Sequence, residues 1–320
     1  MKELNILKKN KVFANYHRGK RCFIIGSGPS LKEQNLLLLK NELNIAVNNL
    51  FHHENIQEIS PKYWICADPY YFNLHKGEVL PVINAIEKKG IITNLFLPYS
   101  NYGKIYIQSA NFYNIHYFNY DFSKTIDDNI DFTQGILPYG QNSICVALML
   151  ALYLGCNPIH LIGCDHTWWG WNQEEYKNNH IPYFTGGVSE REMSLDYSFD
   201  LIKSTIYVQK YQYLQLKKYA EKRGFDIYNS TNGGYLDVFK RSKYEQLKFH
   251  MKEKDSQQLL SKLDDSSFIL AKSAIQLINN KDFISALVLI EEAIRQNINK
   301  KMYVKGLSQI REICYKHINY

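Results

Sequence analysis

The stretch Cys-Phe-Ile-Ile-Gly-Ser-Gly-Pro-Ser-Leu-Lys-Glu at residues 22–33 decides the fold. Its first four residues are apolar without a break, which is typical of a strand that is buried on both faces. A Gly-Ser-Gly-Pro turn follows, and Ser30 with Glu33 has the spacing of a capping box at the start of a helix. A strand, a glycine turn and a helix in this order form the first half of a β-α-β unit.

Further short apolar runs follow this unit, and each ends in small or polar residues. These strands are predicted at residues 45–47, 63–67, about 91–97, 159–163 and 226–229. Residues 143–154 contain almost no charge and predict a buried helix, and a second long helix is predicted from about 198 to 223. Because strands alternate with helices, we predict an α/β fold with a doubly wound, mostly parallel sheet of the Rossmann-like type.

The composition divides the chain into three parts. Residues 1–20 form a basic lead-in, residues 21–244 form the α/β domain, and residues 245–320 form a C-terminal α-helical appendage with Lys- and Glu-rich patterns. Within the α/β domain, residues 166–198 are rich in Trp, Tyr, Asn, Gly and His with weak periodicity, which predicts a long lid loop. The appendage resembles one helical hairpin of the tetratricopeptide type, and we expect it to serve docking or self-association into a homo-oligomer.

The overall composition and charge exclude some classes of protein. The 320 residues are 45% hydrophobic, which excludes wholesale disorder. The net charge of +7 comes from scattered basic residues without the pattern of a recognition helix, so we predict no nucleic-acid partner. The basic residues indicate either a weak attraction to anionic ligands and membrane surfaces or a solvated basic face.

The six cysteines contain no CxxC pair, and several stand inside apolar runs. This is typical of buried free thiols in a reducing compartment, and the spacing of a zinc site is absent. The N-terminus shows no apolar segment of a signal peptide, and the longest apolar stretch, near 144–154, is too short to span a bilayer. We predict a cytoplasmic protein with a peripheral contact on the inner face of the membrane.

Candidate binding residues follow the predicted strands, because ligands of an open α/β sheet bind beyond the carboxyl ends of its strands. These residues are small or polar, as a nucleotide cleft requires: Gly26, Ser27, Gly28, Pro29, Ser30, Asn48, Asn49 and Asp68. The N–H groups of the first turn lie at a helix N-terminus, where the dipole favours a phosphate. The turn matches neither GxGxxG nor a P-loop, so a tight turn without a ligand is the alternative. Asn48 and Asn49 would either bind a ribose or base, or cap the helix that follows.

One carboxylate and two histidines are the candidates for catalysis. Asp165 ends an apolar strand and is interpreted as a site residue, with an N-cap as the alternative. His166 and His180 lie in the lid loop, and histidine is the side chain best suited to proton transfer near neutral pH. Solvated loop positions are the alternative for both, whereas His160, inside an apolar strand, is expected to be a core residue.

No metal and no resident cofactor is predicted. The chain lacks a Gly-x-Ser-x-Gly elbow, an HExxH helix and a kinase signature. It also lacks Asp-x-Asp, the metal-and-nucleotide signature of many sugar transferases, and its two Asp-Asp pairs are adjacent residues whose side chains diverge.

Several of these segments together resemble a known group of enzymes. Residues 26–32, Gly-Ser-Gly-Pro-Ser-Leu-Lys, are similar to the opening motif of the campylobacter-type bacterial sialyltransferases, and residues 143–165 are similar to their Ser-Gly helix and Gly-Ile-Asp strand end. The Asn-Asn-Leu-Phe segment at 48–51 resembles their Asn-Gln segment. The same segments resemble the wider MptE-like group, which includes the motility accessory factor glycosyltransferases and the 6-hydroxymethylpterin diphosphokinases. The resemblance covers about residues 20–240.

This resemblance implies where a donor would bind. The turn at 26–30, Asn48, and the helix start at Asn142 and Ser143 would hold a CMP-sugar. Asp165 would lie beside the nucleotide or the transferred sugar. Residues 21–244 would then be a nucleotide-sugar-binding domain.

The resemblance also implies which residues would act in catalysis. Thr167 and Tyr183 are among the residues nearest to the family's tyrosine pair, which stabilises the leaving phosphate. The general-base histidine of the family falls on Ser-Phe at 198–199, so His166 or His180 is expected to take that role.

The function implied by the resemblance is that of a metal-independent glycosyltransferase in cell-surface polysaccharide biosynthesis. It would move a sialic-acid-like sugar from a CMP-activated donor to a glycan or glycolipid acceptor. The alternative is an MptE-like diphosphokinase that uses ATP and Mg²⁺, with Asp68 and Asp165 as the carboxylates that would hold the metal. A third interpretation is a non-enzymatic scaffold that acts through its helical appendage.

Overall fold

The computed structural model describes residues 2–67, 79–99, 114–121, 123–124, 129–136, 142–178 and 199–247, together with Ala274, Ala286, Leu289 and Ile290. The chain divides into two compact units, Met1–Leu247 and Lys248–Tyr320. The described positions of the second unit are all helical. The predicted helical character of the C-terminal region is therefore confirmed.

The described part of the first unit contains one sheet of nine strands, and every neighbouring pair is parallel. Its strands are β1 (Cys22–Ile25), β2 (Leu43–Val47), β3 (Tyr63–Ile65), β4 (Asn94–Pro98), β5 (Ile115–Tyr120), β6 (Gly135–Ile136), β7 (Ile159–Ile162), β8 (Ile227–Asn229) and β9 (Lys240–Arg241). The spatial order is β6-β5-β4-β3-β2-β1-β7-β8-β9.

The strand order reverses once. From β1 the chain adds strands outward in sequence as far as β6, then returns to place β7 on the other side of β1. This is the topology of a doubly wound sheet, and its switch point lies between β1 and β7. The predicted α/β, Rossmann-like fold is confirmed, whereas β5, β6 and β9 were not predicted.

The α-helices in the described part of the first unit are α1 (Lys2–Leu7), α2 (Ile56–Ile59), α3 (Val79–Lys88), α4 (Ser143–Tyr153), α5 (Gln173–Asn178) and α6 (Phe199–Lys222). Helix α4 is buried along its whole length and packs on β1, β2 and β3, because nearly all its side chains are apolar. Helix α6 packs on α4 in turn. Short 3-10 helices supply much of the remaining structure: Lys8–Phe13, Pro29–Lys32, Leu36–Leu39, Asn48–His52, Thr167–Gly170 and Tyr244–Gln246.

Two local predictions differ from the structure. Ser30 does not cap a helix: the turn leads into the 3-10 helix Pro29–Lys32, which begins after Gly28, and the Ser30 hydroxyl bonds to another element. The predicted lid loop at 166–198 is helical in its first part, because Thr167–Gly170 and α5 lie there, and residues 179–198 lie outside the described residues. The basic lead-in is also helical, and the side-chain amide of Asn10 donates to the carbonyl oxygens of Tyr117 at 2.7 Å and Phe132 at 2.8 Å.

Within the described ranges, we find no helix with both the length and the apolar character that a bilayer crossing requires.

Candidate functional site

The candidate site lies at the carboxyl edge of the sheet, around the switch point between β1 and β7. Parallel strands bring their carboxyl ends to the same edge, so the residues that follow β1, β2 and β7 lie side by side. The turn at 26–30, the Asn48–His52 3-10 helix and the Asp165–His166 pair all occupy this edge.

The first feature of the site is a clamp between the turn and the end of β7. Both carboxylate oxygens of Asp165 bind Ser30: Oδ1 accepts from the backbone N–H at 3.1 Å, and Oδ2 accepts from the hydroxyl at 2.8 Å. Both residues are buried, so solvent does not substitute for these bonds. We call this pair the Ser30–Asp165 clamp.

The two glycines of the turn are required because the turn packs closely against the end of β7. The N–H of Gly26 donates to the Ile162 carbonyl at 2.8 Å, and the N–H of Gly28 donates to the Gly163 carbonyl at 2.9 Å. A Cβ added to Gly28 would overlap the carboxylate of Asp165, and a Cβ added to Gly26 would overlap the carbonyl of Gly163. The glycines therefore let the turn pack on the end of β7, whether or not a phosphate approaches it.

The electrostatics of Asp165 follow from its burial. Burial raises the pKa of Asp165, and the two bonds from Ser30 and the charge of Arg241 offset part of that rise. With both oxygens already occupied, the carboxylate positions the turn.

The second feature is a bridge between β2 and α4. The hydroxyl of Ser143, the first residue of α4, donates to Oδ1 of Asn48 at 2.8 Å. Asn48 adopts a left-handed backbone conformation with φ 48°, and its carbonyl accepts from the indole N–H of Trp64 at 3.0 Å. Asn49 is half-buried beside it. The structure thus brings together two residues, Asn48 and Ser143, that are far apart in sequence and that the sequence predicted to share a site.

The third feature is the N-terminus of α4. Asn142 caps the helix, because its Oδ1 accepts from the N–H of Cys145 at 3.0 Å. The N–H groups of Ser143 and Ile144 belong to the first helical turn and have no intrahelical acceptor. No acidic side chain stands in that turn. The backbone N–H of Ser27, which follows β1, also has no acceptor among the described residues. Unpaired N–H groups at a helix N-terminus favour an anion.

The fourth feature is His166, held between two aromatic rings. It adopts a left-handed conformation with φ 48°, and its ring stacks on Trp169 with the centroids 4.3 Å apart and the planes at 3°. Its Nε2 lies 2.9 Å from the hydroxyl of Tyr213 in α6. Burial lowers the pKa of His166 to about 3. A general base works best with a pKa near the operating pH, so this environment suits a neutral hydrogen-bonding ring better than a proton acceptor in catalysis.

The structure gathers most of the predicted residues at this edge: Gly26, Ser27, Gly28, Pro29, Ser30, Asn48, Asn49, Asn142, Ser143, Asp165, His166 and Thr167. Asp68, His180 and Tyr183 lie outside the described residues. Thr167 is half-buried and begins the 3-10 helix after His166. His160 is buried in β7, stacked between Phe23 and Tyr228.

Three residues of the site were not singled out from the sequence: Tyr213, Gln209 and Trp169. The indole N–H of Trp169 donates to Oε1 of Gln209 at 3.2 Å, and Gln209 is buried on the inner face of α6. A glutamine at 209, on the same helical face as the apolar residues 213 and 216, is a polar residue in a core position. That pattern was the available signal for this part of the site.

Within the ranges that the structure describes, there is no group of three or more His, Cys, Asp or Glu side chains that could hold a metal ion.

Comparisons with known proteins place the chain in a family. No curated protein matches it. Among solved structures, the chain is similar to the MAf glycosyltransferase from Magnetospirillum magneticum AMB-1, with 13% sequence identity and a TM-score of 0.47. The match covers 99% of the chain and 54% of the glycosyltransferase, so the chain spans about half the length of that protein. The family model described as 6-hydroxymethylpterin diphosphokinase MptE-like matches residues 1–169. That match covers more than half of the 320 residues, it includes the turn, the α4 N-terminus and Asp165, and the chain therefore belongs to the MptE-like family.

Proposed function

We propose that the chain is a glycosyltransferase that moves a sialic-acid-like sugar from a CMP-activated donor to a glycan or glycolipid acceptor, without a metal. The observation that carries this proposal is the chemical character of the edge around the switch point. Its donors without an acceptor among the described residues are neutral N–H groups, and the carboxylate of Asp165 is already bonded to Ser30.

The charge of the ligand decides between donor classes at such an edge. A CMP-activated sialic-acid-like sugar carries one charged phosphodiester and, apart from it, the carboxylate of the sugar. A few N–H groups and amides at a helix N-terminus can satisfy that phosphodiester. ATP carries a triphosphate, which proteins hold with Mg²⁺ and cationic side chains. The described edge offers the N–H groups of Ser27, Ser143 and Ile144 and the amide of Asn48, and this set fits the smaller charge.

The same donors would act during the reaction. As the acceptor hydroxyl attacks the anomeric carbon, the bond to the CMP phosphate breaks and negative charge grows on that phosphate. Donors that already point at it stabilise the transition state without reorganisation. The clamp holds the turn in place for this purpose, and Thr167 lies at the end of β7 near the same edge. His180 and Tyr183 stay predictions for the base and the phosphate partner.

The proposal extends to location and partners. A cytoplasmic enzyme with a basic N-terminal segment would meet a lipid-linked glycan at the inner face of the membrane. The helical appendage would serve docking or a homo-oligomer.

The experiment is a thermal-shift and calorimetry series with CMP, CDP, UDP, GDP and ATP, each with and without Mg²⁺. Stabilisation follows the ligand concentration, so CMP at a hundredfold excess over its Kd should add about 2.7 kcal/mol to the free energy of unfolding. The informative variant is Asn48→Asp: aspartate tolerates the left-handed backbone and still accepts from Ser143, but it adds a negative charge beside the phosphate.

The matched control is Asn172→Asp. Asn172 is exposed and its side chain accepts from the N–H groups of Glu174 and Glu175, both at 2.9 Å, which aspartate does equally well. We expect Asn48→Asp to abolish CMP binding and Asn172→Asp to retain it. Equal binding by the wild type and Asn48→Asp, or no CMP binding by the wild type, would contradict the proposal.

A second candidate function is the transfer of diphosphate from ATP, and the family description favours it. It makes the opposite prediction in the same series. ATP would stabilise the chain only when Mg²⁺ is present, CMP would not, and EDTA would abolish activity.

A further inference from the structure

A hydrogen-bonded chain of three side chains joins β7, α6 and α4 beside the proposed donor site. Nε2 of His166 lies 2.9 Å from the hydroxyl oxygen of Tyr213. That hydroxyl lies 3.1 Å from Oδ1 of Asn142, which also accepts from the N–H of Cys145 at 3.0 Å. Tyr213 is fully buried, so water does not compete for its hydroxyl.

The direction of each bond in this chain follows from the backbone. The N–H of Cys145 can only donate, so the Asn142 atom that it meets is the carbonyl oxygen. A carbonyl oxygen can only accept, so Tyr213 gives it the single hydroxyl proton. The oxygen of Tyr213 must then accept from His166, and Nε2 of His166 therefore carries a proton. A neutral imidazole has one N–H, so Nδ1 of His166 has a free lone pair.

The two ends of this hydrogen-bonded chain differ in exposure. Nδ1 of His166 has no hydrogen-bond partner among the described residues, and the side chain is partly exposed. At the other end, Nδ2 of Asn142 is buried and has no hydrogen-bond partner in the described part of the protein. The ring plane of His166 is fixed by its stacking on Trp169, which Gln209 holds in turn. Burial lowers the pKa of His166 to about 3, which keeps Nδ1 unprotonated at neutral pH.

We propose that Tyr213 is a positioning residue: its hydroxyl holds His166 as the Nε2–H tautomer and so presents Nδ1 as an acceptor for a hydroxyl group of the substrate. An acceptor suits the hydroxyl groups of a sugar, because each of them has a proton to donate. The identification of that hydroxyl with a sugar rests on the proposed function, whereas the tautomer does not.

The tautomer is tested without any ligand, by ¹⁵N nuclear magnetic resonance of the histidine rings in the full chain near pH 7. In the wild type, we expect the His166 ring to show a protonated Nε2, a bare Nδ1, and an Nε2 proton that exchanges slowly enough to be observed. Tyr213→Phe keeps the buried ring and removes the hydroxyl, so this proton should become unobservable. His160, whose Nδ1 bonds to the hydroxyl of Ser230 at 2.9 Å, is the internal control and should be unchanged.

A second variant tests whether the acceptor oxygen of Asn142 sets the direction of these hydrogen bonds. Asn142→Ser keeps an N-cap, since serine is favoured there, but its shorter side chain no longer serves as the acceptor for Tyr213. Tyr213 then meets only Nε2 of His166 and the thiol of Cys145, and sulfur is the weaker acceptor. Tyr213 should therefore donate to Nε2, and the ring of His166 should move toward the Nδ1–H tautomer. Asn142→Asp keeps the acceptor oxygen and should retain the Nε2–H form. A wild-type ring protonated at Nδ1, or His166 signals that do not change in Tyr213→Phe and Asn142→Ser, would overturn the proposal.

The functional consequence is measured separately. In a transferase assay, Tyr213→Phe should lower turnover by about tenfold to a hundredfold, the effect of a misplaced contact, while the Kd for CMP stays unchanged. A turnover equal to that of the wild type would overturn the role in positioning. Absence of CMP binding in the wild type would overturn the proposed function and leave the tautomer result intact.

Discussion

The Ser30–Asp165 clamp makes a quantitative prediction about stability. Ser30→Ala removes the 2.8 Å bond from the hydroxyl to a buried carboxylate, and the burial of both residues prevents water from replacing it. A hydrogen bond to a charged group contributes about 1.5–3 kcal/mol, so we expect Ser30→Ala to lower the free energy of unfolding by about 2 kcal/mol. For a unit of this size that corresponds to a fall in Tm of about 4–8 °C.

Asp165→Asn is the matched partner of this variant. Asparagine can accept from the Ser30 N–H and donate to the Ser30 hydroxyl, and it removes a carboxylate whose pKa burial raises, so its loss should stay within about 1 kcal/mol. Asp165→Ala leaves two buried donors without acceptors and should be the most destabilised of the three. Tryptophan fluorescence in urea is the assay, because all four tryptophans lie at or before residue 171, inside the first unit. If the free energy of unfolding of Ser30→Ala lies within about 0.5 kcal/mol of the wild-type value, the clamp does not contribute to stability. A free energy of unfolding that is lower for Asp165→Asn than for Ser30→Ala would refute the hydrogen bonds between the two residues.

Three further predictions concern other parts of the fold. Burial lowers the pKa of His160 to about 4 and that of His166 to about 3, so below pH 6.5 the unfolded chain binds more protons than the folded chain. The free energy of unfolding should therefore fall as the pH is lowered from 6.5, by about 1.4 kcal/mol per pH unit for each histidine. In acid unfolding curves, His160→Asn should reduce this slope. In urea unfolding, Gly26→Ala should lower the free energy of unfolding by more than about 2 kcal/mol, because its Cβ would overlap the Gly163 carbonyl. The new Cβ of Gly224→Ala points into open space, so this variant should lose only about 1 kcal/mol for the left-handed backbone with φ 73°. Equal losses in the two variants would contradict the close packing of Gly26 on Gly163. A thiol reagent should modify at most one of the six cysteines rapidly in the folded chain, because five are buried: Cys22, Cys66, Cys145, Cys156 and Cys164.

The sequence predicted the centre of the fold well because that centre is apolar. Strands such as β1 and β7 and the helix α4 are buried, so their sequences are almost entirely apolar and their ends are marked by glycine or asparagine. The one polar residue within β7 is His160. Strand β5, Ile-His-Tyr-Phe-Asn-Tyr, was missed because only its middle residues are buried and its polar side chains obscure the pattern. The helix expected after the first turn is replaced by two short 3-10 segments, Pro29–Lys32 and Leu36–Leu39, and the side chain of Asn35 caps the second.

The candidate site was predicted where it depends on strand ends and missed where it depends on a helix face. Ser30 and Asp165 meet because parallel strands bring their ends together, which the strand assignment already implies. Ser143 meets Asn48 because α4 packs on β2 and begins beside its end, and the family resemblance pointed to that position. Tyr213 reaches the site from the middle of a long helix, and its rotation about that helix depends on packing against α4. The strand pattern gives no information on that contact.

The placement of β7 beside β1 has a consequence for the order in which the molecule forms. Strands β1 to β6 pair with their neighbours in sequence, so each addition closes a short loop, whereas the clamp joins residues 135 positions apart. Pairing over such a separation is slow, and the first six strands can assemble before it. The pairing of β7 with β1, which forms the cleft, would then be the last contact of the first unit to form in folding and the first to open in unfolding. A ligand that bridges this contact should slow unfolding and leave the rate of folding almost unchanged.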